Sequence, residues 1–377
     1  MRFVLLGLVA GVLVLPAPAG ADGSRLPAVA VGATDLADAT GAVAPSAAAG
    51  RVVFSRQVPS TGRFELVAWS AARGLRVLPV GDRAVPFDAD AGRDVAGGAV
   101  VSYSHCAVDG TLSYVLPSVD FSAARGCRPF VLDLDHPGAR PRPLRLARAS
   151  GLSLSPPSVR GRSVAAVVAP ERGRNVRILL WRDTTQAPVR LRGGTPPKCP
   201  YASCSVAPRS GVDALDLGRR SVAFLWRLSQ LPYGAGPGVE LRTSSRHPRE
   251  AGRQIASANG YLSGACGFRQ PLSPTAGAGD GIAFLLAQSP CEGVQTTLAV
   301  QRAGSTVVLG ARPAGSLALG AALDDTHVFW LRGAAPLRGE DLGASARPDI
   351  PCARPGAGCR LVVSGALPLR VASGRRH

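Results

Sequence analysis

A short cluster of residues recurs along this chain. A turn residue comes first, then a β-branched apolar residue, then a small or apolar one, and often an aromatic. The copies are Gly50-Arg51-Val52-Val53-Phe54, Gly97-Gly98-Ala99-Val100-Val101-Ser102-Tyr103, Gly161-Arg162-Ser163-Val164-Ala165, Gly218-Arg219-Arg220-Ser221-Val222-Ala223-Phe224, Asp280-Gly281-Ile282-Ala283-Phe284 and Asp324-Asp325-Thr326-His327-Val328-Phe329. Self-similarity at a fixed period constrains architecture more than any composition figure, because each unit must be one copy of the same supersecondary element. Six copies spaced by about 45 to 65 residues fit a unit of several short strands. The Gly or Asp supplies the turn, and the apolar run supplies a buried strand.

Each cluster is followed by a second strand candidate: Phe64–Trp69, Phe130–Leu134, Val176–Trp181, Val239–Arg242, Leu298–Val300 and Arg360–Val363. Several of these alternate polar and apolar residues with the period of a strand that has one wetter face. A third short strand usually follows a turn, at Arg76–Leu78, Leu144–Leu146, Val189–Leu191, Val307–Leu309 and Leu369–Val371, with Arg253–Ile255 as the candidate in the fourth unit. Before the clusters there is room for one more strand, for example Leu152–Leu154 or Leu317–Leu319. With 45 Gly and 32 Pro, no long amphipathic helix survives in any window. The expected fold class is all-β: a single β-propeller of six blades, each of four antiparallel strands, over residues 48–372. Radial blades protect sheet edges in a chain with no helices to cover them. A pair of β-sandwiches with the same strand content is the competing architecture. Residues 22–47 form an N-terminal segment with room for a ring-closing strand, and 373–377 a tail.

The unit resembles the WD40-like repeats of TolB-type propellers, which read as a turn Asp-Gly, a strand like Ile-Ala-Phe, a strand with Leu-Tyr or Leu-Trp, then a turn and a strand carrying Leu. Asp280-Gly281-Ile282-Ala283-Phe284 is the near match; Arg93-Asp94 with Gly97-Gly98 and Val100–Ser104 is a looser one. The family's usual Ser-Pro-Asp-Gly turn is missing from most units. The resemblance implies a binding scaffold and no particular reaction.

The N-terminus reads as a secretory signal. Met1-Arg2 is basic, Phe3–Leu15 is apolar, and Ala19-Gly20-Ala21 offers small residues for cleavage before Asp22. The apolar run is shorter than the roughly 20 residues needed to span a bilayer. Secretion, or delivery to another extracytoplasmic compartment such as a periplasm, is the expected localisation, with no transmembrane segment left after signal removal. Eight cysteines agree with that address: Cys106, Cys127, Cys199, Cys204, Cys266, Cys291, Cys352 and Cys359. Eight allow roughly a hundred pairings; the sequential one (106–127, 199–204, 266–291, 352–359) is the working assignment. Zinc is the competing reading, but no C-x-x-C occurs.

In a propeller the loop from second to third strand shares a face with the loop that joins one blade to the next. All eight cysteines map to such loops, so the staples gather on one face, the usual place for recognition on a rigid scaffold. Tyr201, Arg227 and Tyr233 are the candidate contact residues there, because interfaces favour Tyr and Arg; Tyr103 and Trp226 lie on strands and are assigned to core or rim. The formal charge of +18 admits an anionic envelope polymer as partner, with an unknown protein as the alternative. The competing explanation is compositional, since Lys198 is the only lysine and the arginines are scattered. No nucleic-acid motif is present, so no nucleic-acid partner is expected, and the chain is expected to be a monomer.

Catalytic constellations are sparse. His105, His136, His247, His327 and His377 form no H-E-x-x-H or paired metal spacing. No G-x-S-x-G elbow and no phosphate-binding G-x-x-x-x-G-K is found. Asp88, Asp90 and Asp94 invite a calcium reading, but Gly92, Arg93 and Ala99 stand where an EF-hand loop needs a ligand, a glycine and a glutamate. No catalytic residue, metal ligand or cofactor is assigned. Two functions stay open: a non-enzymatic binding or scaffolding propeller, or an extracellular hydrolase or lyase acting on glycan or peptide at the channel mouth.

Overall fold

In the computed structural model the described residues are 28–29, 32–109, 111–115, 118–122, 124–169, 176–192, 210–228, 238–250, 252–259, 268–276, 281–289, 295–302, 305–309, 316–334, 352 and 358–365. Their regular structure is all β, without an α-helix. Two N-terminal strands, β1 (Ala28–Val29) and β2 (Ala33–Asp38), come first. The first antiparallel meander is β3 (Ala42–Ala48), β4 (Arg51–Gln57), β5 (Phe64–Ser70) and β6 (Gly74–Val77). The second opens with β7 (Asp90–Arg93) and β8 (Ala99–His105), is interrupted by a hairpin of β9 (Thr111–Val115) and β10 (Ser118–Ser122), and resumes with β11 (Arg128–Asp133) and β12 (Arg142–Pro143).

The third meander is β13 (Ser153–Arg160), β14 (Ser163–Ala169), β15 (Arg177–Trp181) and β16 (Val189–Arg190). The fourth is β17 (Ser210–Leu217), β18 (Ser221–Leu228), β19 (Gly238–Ser245) and β20 (Arg253–Asn259). The fifth is β21 (Phe268–Ala276), β22 (Ile282–Ser289), β23 (Gln295–Arg302) and β24 (Ser305–Leu309). The last is β25 (Ser316–Leu323), β26 (Val328–Ala334) and β27 (Arg360–Ser364), and its fourth strand is β2, antiparallel to β27 with Thr34 opposite Val363. β1 lies parallel to β24, Ala28 opposite Val308.

The recurring sequence cluster is the second strand of every meander. Its continuous apolar run has a physical reason: both faces of the strand are buried. Side chains alternate across a strand, so Val52 and Phe54 enter a core shared with the last meander while Val53 enters one shared with the second. The same division repeats in β18, where Val222, Phe224 and Trp226 pack toward the third meander and Ala223 and Leu225 toward the fifth. Burial between sheets, rather than against a helix, is how a stack of radial meanders hides apolar surface.

The first strands of successive meanders pack side by side, β3 on β7, β7 on β13, β13 on β17, β17 on β21 and β21 on β25, and β25 returns to β3. This closed ring of inner strands is the architecture of a β-propeller. Five of the inner strands carry a register shift: between Val43 and Ser46, Leu154 and Pro157, Val212 and Ala214, Leu272 and Thr275, and Ala318 and Gly320. A bulge sharpens the local twist and bends the strand. Only β7 pairs without one.

One sequence expectation needs correction. The outer strand of the second meander lies at Arg142–Pro143, not at Leu144–Leu146; Leu146 instead turns into the core between the second and third meanders. The expected outer strand of the last unit, Leu369–Val371, lies outside the described residues, and the edge beside β27 is already filled by β2.

Candidate functional site

The end of the ring where β7 and β13 begin and β8 ends carries a cluster of charged and hydroxyl groups. Asp88 leads into β7. Its carboxylate accepts the Ser104 amide at 2.9 Å and the hydroxyls of both Ser104 and Ser155. Arg83 lies 3.7 Å away and donates to Asp109 at 2.6 Å. The Arg83 guanidinium also rests over the Phe87 ring at 5.0 Å. Beneath it Phe87, Tyr103 and Phe130 form an aromatic run, with His105 edge-on to Phe130 at 6.1 Å. Arg83 and Asp88 are largely buried, so the ion pair is only weakly screened and its neighbours are fixed in place.

A disulfide anchors this end. Cys106 and Cys127 are bonded and close the loop that holds the β9–β10 hairpin. The base of that loop is further tied by an antiparallel bridge between Val108 and Arg125. The loop is also fastened to the next meander: the Cys127 amide donates to Ser153 Oγ at 3.2 Å, and Ser153 Oγ donates to the Ala124 carbonyl at 3.0 Å. Among the described residues the hairpin pairs with no other sheet.

Deeper in the ring, Asp90 is 4% exposed. Ser46 Oγ on β3 donates to one of its oxygens at 2.7 Å, and Ser158 Oγ on β13 donates to the other. Both hydroxyls in turn accept main-chain amides, Ala91 at 2.9 Å and Leu217 at 2.8 Å, so the network wires four inner strands together. No positive partner reaches this carboxyl among the described residues. Burial therefore pushes its pKa up to about 7, against the pull of the two serine hydroxyls.

The arrangement orders a surface more than it activates a nucleophile. The hydroxyls of Ser104 and Ser155 are spent on a carboxylate, and among the described residues no histidine ring nitrogen hydrogen-bonds a serine or cysteine. His105 is exposed, His136 Nδ1 pairs with Asp133 at 2.6 Å in a turn, His247 is exposed in another turn, and His327 Nδ1 meets Thr326 Oγ1 at 2.7 Å. The three aspartates of the calcium reading separate. Asp88 is at the mouth, Asp90 is interior, and Asp94 caps the β7–β8 turn by accepting the Gly98 amide at 2.8 Å. No group of three or more His, Cys, Asp or Glu among the described residues is placed to hold a metal ion.

Of the candidate contact residues, Tyr201, Tyr233 and the side chain of Arg227 lie outside the described residues, as do Cys199, Cys204, Cys266, Cys291, His377 and the expected N-terminal signal. Tyr103 and Trp226 are buried in the core. The second bond of the described chain joins Cys352 to Cys359. Both residues are fully buried, and their carbonyls accept the amides of Gly41 and Ala39, so this bond belongs to the seam where the ring closes. The Arg83–Asp88–Ser155 cluster was missed by sequence reasoning because Ser155 lies 67 residues from Asp88 and the three match no motif.

No family model matches the chain, and no curated protein matches it. Among solved structures it is similar to the acylaminoacyl peptidase of Pyrococcus horikoshii, at 12% identity and a TM-score of 0.35, over 78% of this chain and 42% of that one. The chain thus spans about two fifths of the length of that peptidase. It is also similar to the β-propeller domain of the trilobed protease of Pyrococcus furiosus, at 10% identity and a TM-score of 0.35, over 80% of this chain and 79% of that one. A third is the α-L-arabinanase of Penicillium chrysogenum, at 10% identity and a TM-score of 0.40, over 89% of this chain and 98% of that one. Among the described residues no helix is long and apolar enough to cross a membrane.

Proposed function

We propose that this chain is an exported, monomeric six-bladed β-propeller of the WD40-like, TolB-type kind that acts as a recognition scaffold in an extracytoplasmic compartment. The supporting observation is the β9–β10 hairpin. Among the described residues it joins no blade, yet its base is locked by Cys106–Cys127 and fastened to Ser153. A separate hairpin on a fixed base loses little conformational entropy on binding, which favours a partner over a packing role. The signal-like N-terminus and the oxidised cysteines support export.

Co-sedimentation of the mature protein with envelope fractions at low and moderate salt tests this reading. Retention by one fraction at both salts, lost when residues 110–123 are replaced by a short Gly-Ser link, is the expected result. Retention that disappears at moderate salt would reduce the interaction to unspecific charge and overturn it.

A second reading, a hydrolase or lyase for glycan or peptide at the same mouth, draws on one feature. Asp88 and Asp90 are two carboxyls on one inner segment in different environments, the first beside Arg83 and the second buried with a pKa near 7. Pairs whose environments differ in this way serve as acid and base in hydrolases. Release of reducing ends or amines from envelope material, abolished in Asp88→Asn, is the result that would favour it.

A further inference from the structure

The opposite end of the ring, away from the disulfide at Cys106–Cys127, has a different chemistry where the third and fourth meanders meet. The turn β13–β14 carries Arg160 and Arg162, β15–β16 opens with Arg182, β17–β18 contains Arg219, and β19–β20 carries Arg246 and Arg249. Arg246 reaches across the seam between the two meanders. One of its terminal nitrogens donates to Ser163 Oγ of the third meander, and the other to the Arg219 carbonyl at 3.1 Å. Ser163 Oγ in turn donates to the Arg182 carbonyl at 2.9 Å, which fixes the acceptor.

Among the described residues, this arrangement lacks a carboxylate paired with its central arginines. Arg246 is only partly exposed, yet among the described residues neither it, Arg160 nor Arg182 has a carboxylate partner. The acids on these turns include Glu250 and, directly after Arg182, Asp183. Asp183 is 3.6 Å from Arg162 and accepts the amide and hydroxyl of Thr185 at 3.0 and 2.7 Å. Burial, and then the like charges of Arg160 and Arg182, hold the Arg246 pKa below its ordinary value. An arginine enriched only by genome composition would sit in water. This one is drawn into a seam, where desolvation and two neighbouring cations both disfavour it.

We propose that Arg160, Arg182 and Arg246 form a binding site for a tetrahedral oxyanion, a phosphate or sulfate group, at the seam between the third and fourth meanders. The chemistry follows from the donors. A guanidinium has five N–H donors in a planar fork. Arg246 spends two of its groups on Ser163 and Arg219, which orient the plane and leave further N–H donors unspent. Guanidinium forks pair with phosphate-type oxygens through parallel charge-assisted hydrogen bonds. A bound dianion also relieves the mutual repulsion of the three cations. The site lies on the face opposite the hairpin, so it goes beyond the recognition reading and stands or falls separately from it.

Titration of the mature protein with sodium phosphate and sodium sulfate, followed by calorimetry and thermal melting, tests the site. Sodium chloride at matched ionic strength is the reference, and long-chain polyphosphate probes a polymer-borne form of the same group. Phosphate is expected to raise Tm beyond the chloride reference. In Arg160→Gln/Arg182→Gln affinity is expected to fall about tenfold or more, because charge-assisted contacts are removed, while the ligand-free Tm rises as repulsion is relieved. His105→Ala, on the other face, is expected to bind phosphate as the unaltered chain does. Tighter binding of polyphosphate than of phosphate per group would identify a polymer as the source, and equal binding the free ion. Equal effects of chloride and phosphate, or an unchanged response in the double variant, would overturn the proposal.

Discussion

Ser46 Oγ donates to Asp90 Oδ1 at 2.7 Å, and the two residues sit on inner strands of neighbouring meanders. Ser158 answers from the other side, so one carboxyl holds three consecutive inner strands. The joint is polar, yet it lies where water is excluded. A buried hydrogen-bonded network of this kind fixes register between sheets, at the cost of desolvating a group that prefers charge.

That cost makes stability depend on pH. The Asp90 carboxyl titrates at about 7 in the folded chain and near 3.8 when exposed. Between those values the folded state binds more protons than the unfolded one, so stability falls as pH rises. The contribution is fully present below the unfolded pKa and is lost as pH passes through about 7. A shift of this size is worth on the order of a few kcal/mol across the window. Thermal melts at pH 5 and pH 8 are expected to show this slope, and Asp90→Asn is expected to flatten it. An unchanged slope in Asp90→Asn would place the titrating group elsewhere.

The seam between first and last meanders is open to a similar test. β2 supplies the outer strand of the last meander, and Asp35 there pairs with Arg332. A chain beginning at Ala39 leaves the outer edge of β27 without its partner. An uncovered edge is a template for pairing with another chain. Size-exclusion chromatography is expected to show that truncation eluting earlier than the unaltered chain, and a synthetic peptide of residues 32–38 is expected to restore the unaltered elution position.

The two disulfides are expected to differ in worth. Cys106–Cys127 spans 21 residues and Cys352–Cys359 spans 7. Loop-closure entropy gives about 3.3 kcal/mol for the longer loop and about 2.4 kcal/mol for the shorter. Double serine variants melted separately check this order. The 352–359 pair carries an added loss, since a hydroxyl at either buried position lacks a partner in an apolar core. A measured loss for that pair well above the entropic figure is therefore the expected result.

Gly92 is a further point of sensitivity. It lies on β7, and a Cβ built there would stand 1.9 Å from the Val159 carbonyl oxygen on β13. The obstacle is main chain and cannot rotate aside. Gly92→Ala is expected to cost roughly 2–3 kcal/mol, in the upper part of the range for overpacked sites, with denaturant unfolding as the measurement.

The outer layers of the fold were readable because two-sided burial writes itself into sequence as runs such as Val52-Val53-Phe54 and Val222-Ala223-Phe224. The inner strands were harder. Ala44-Pro45-Ser46 and Ser155-Pro156-Pro157-Ser158 read as breaks, since proline cannot complete a ladder. Here Pro45 and Pro156 fall within a bulge, where the ladder is already interrupted, and Pro157 borders one. The candidate site was opaque for the same reason. Ser46, Asp90 and Ser158 are turn-forming residue types by local preference, and only the ring brings them together. The ring-closing strand, Ala33-Thr34-Asp35-Leu36-Ala37-Asp38, lacks an apolar run because its face is largely exposed.

Closure by β2 also sets the order in which this molecule can be finished. Arg332 and its partner Asp35 are 297 residues apart in sequence. β2, among the first strands to emerge, must wait for its partner until β27, the last, is available. Contacts of such long range form late, because their loop entropy must be met before they stabilise anything. A chain interrupted anywhere before Ser364 cannot latch, whatever the state of its earlier meanders. Biogenesis therefore has a built-in check that synthesis has passed β27, and only such a product carries a completed last meander.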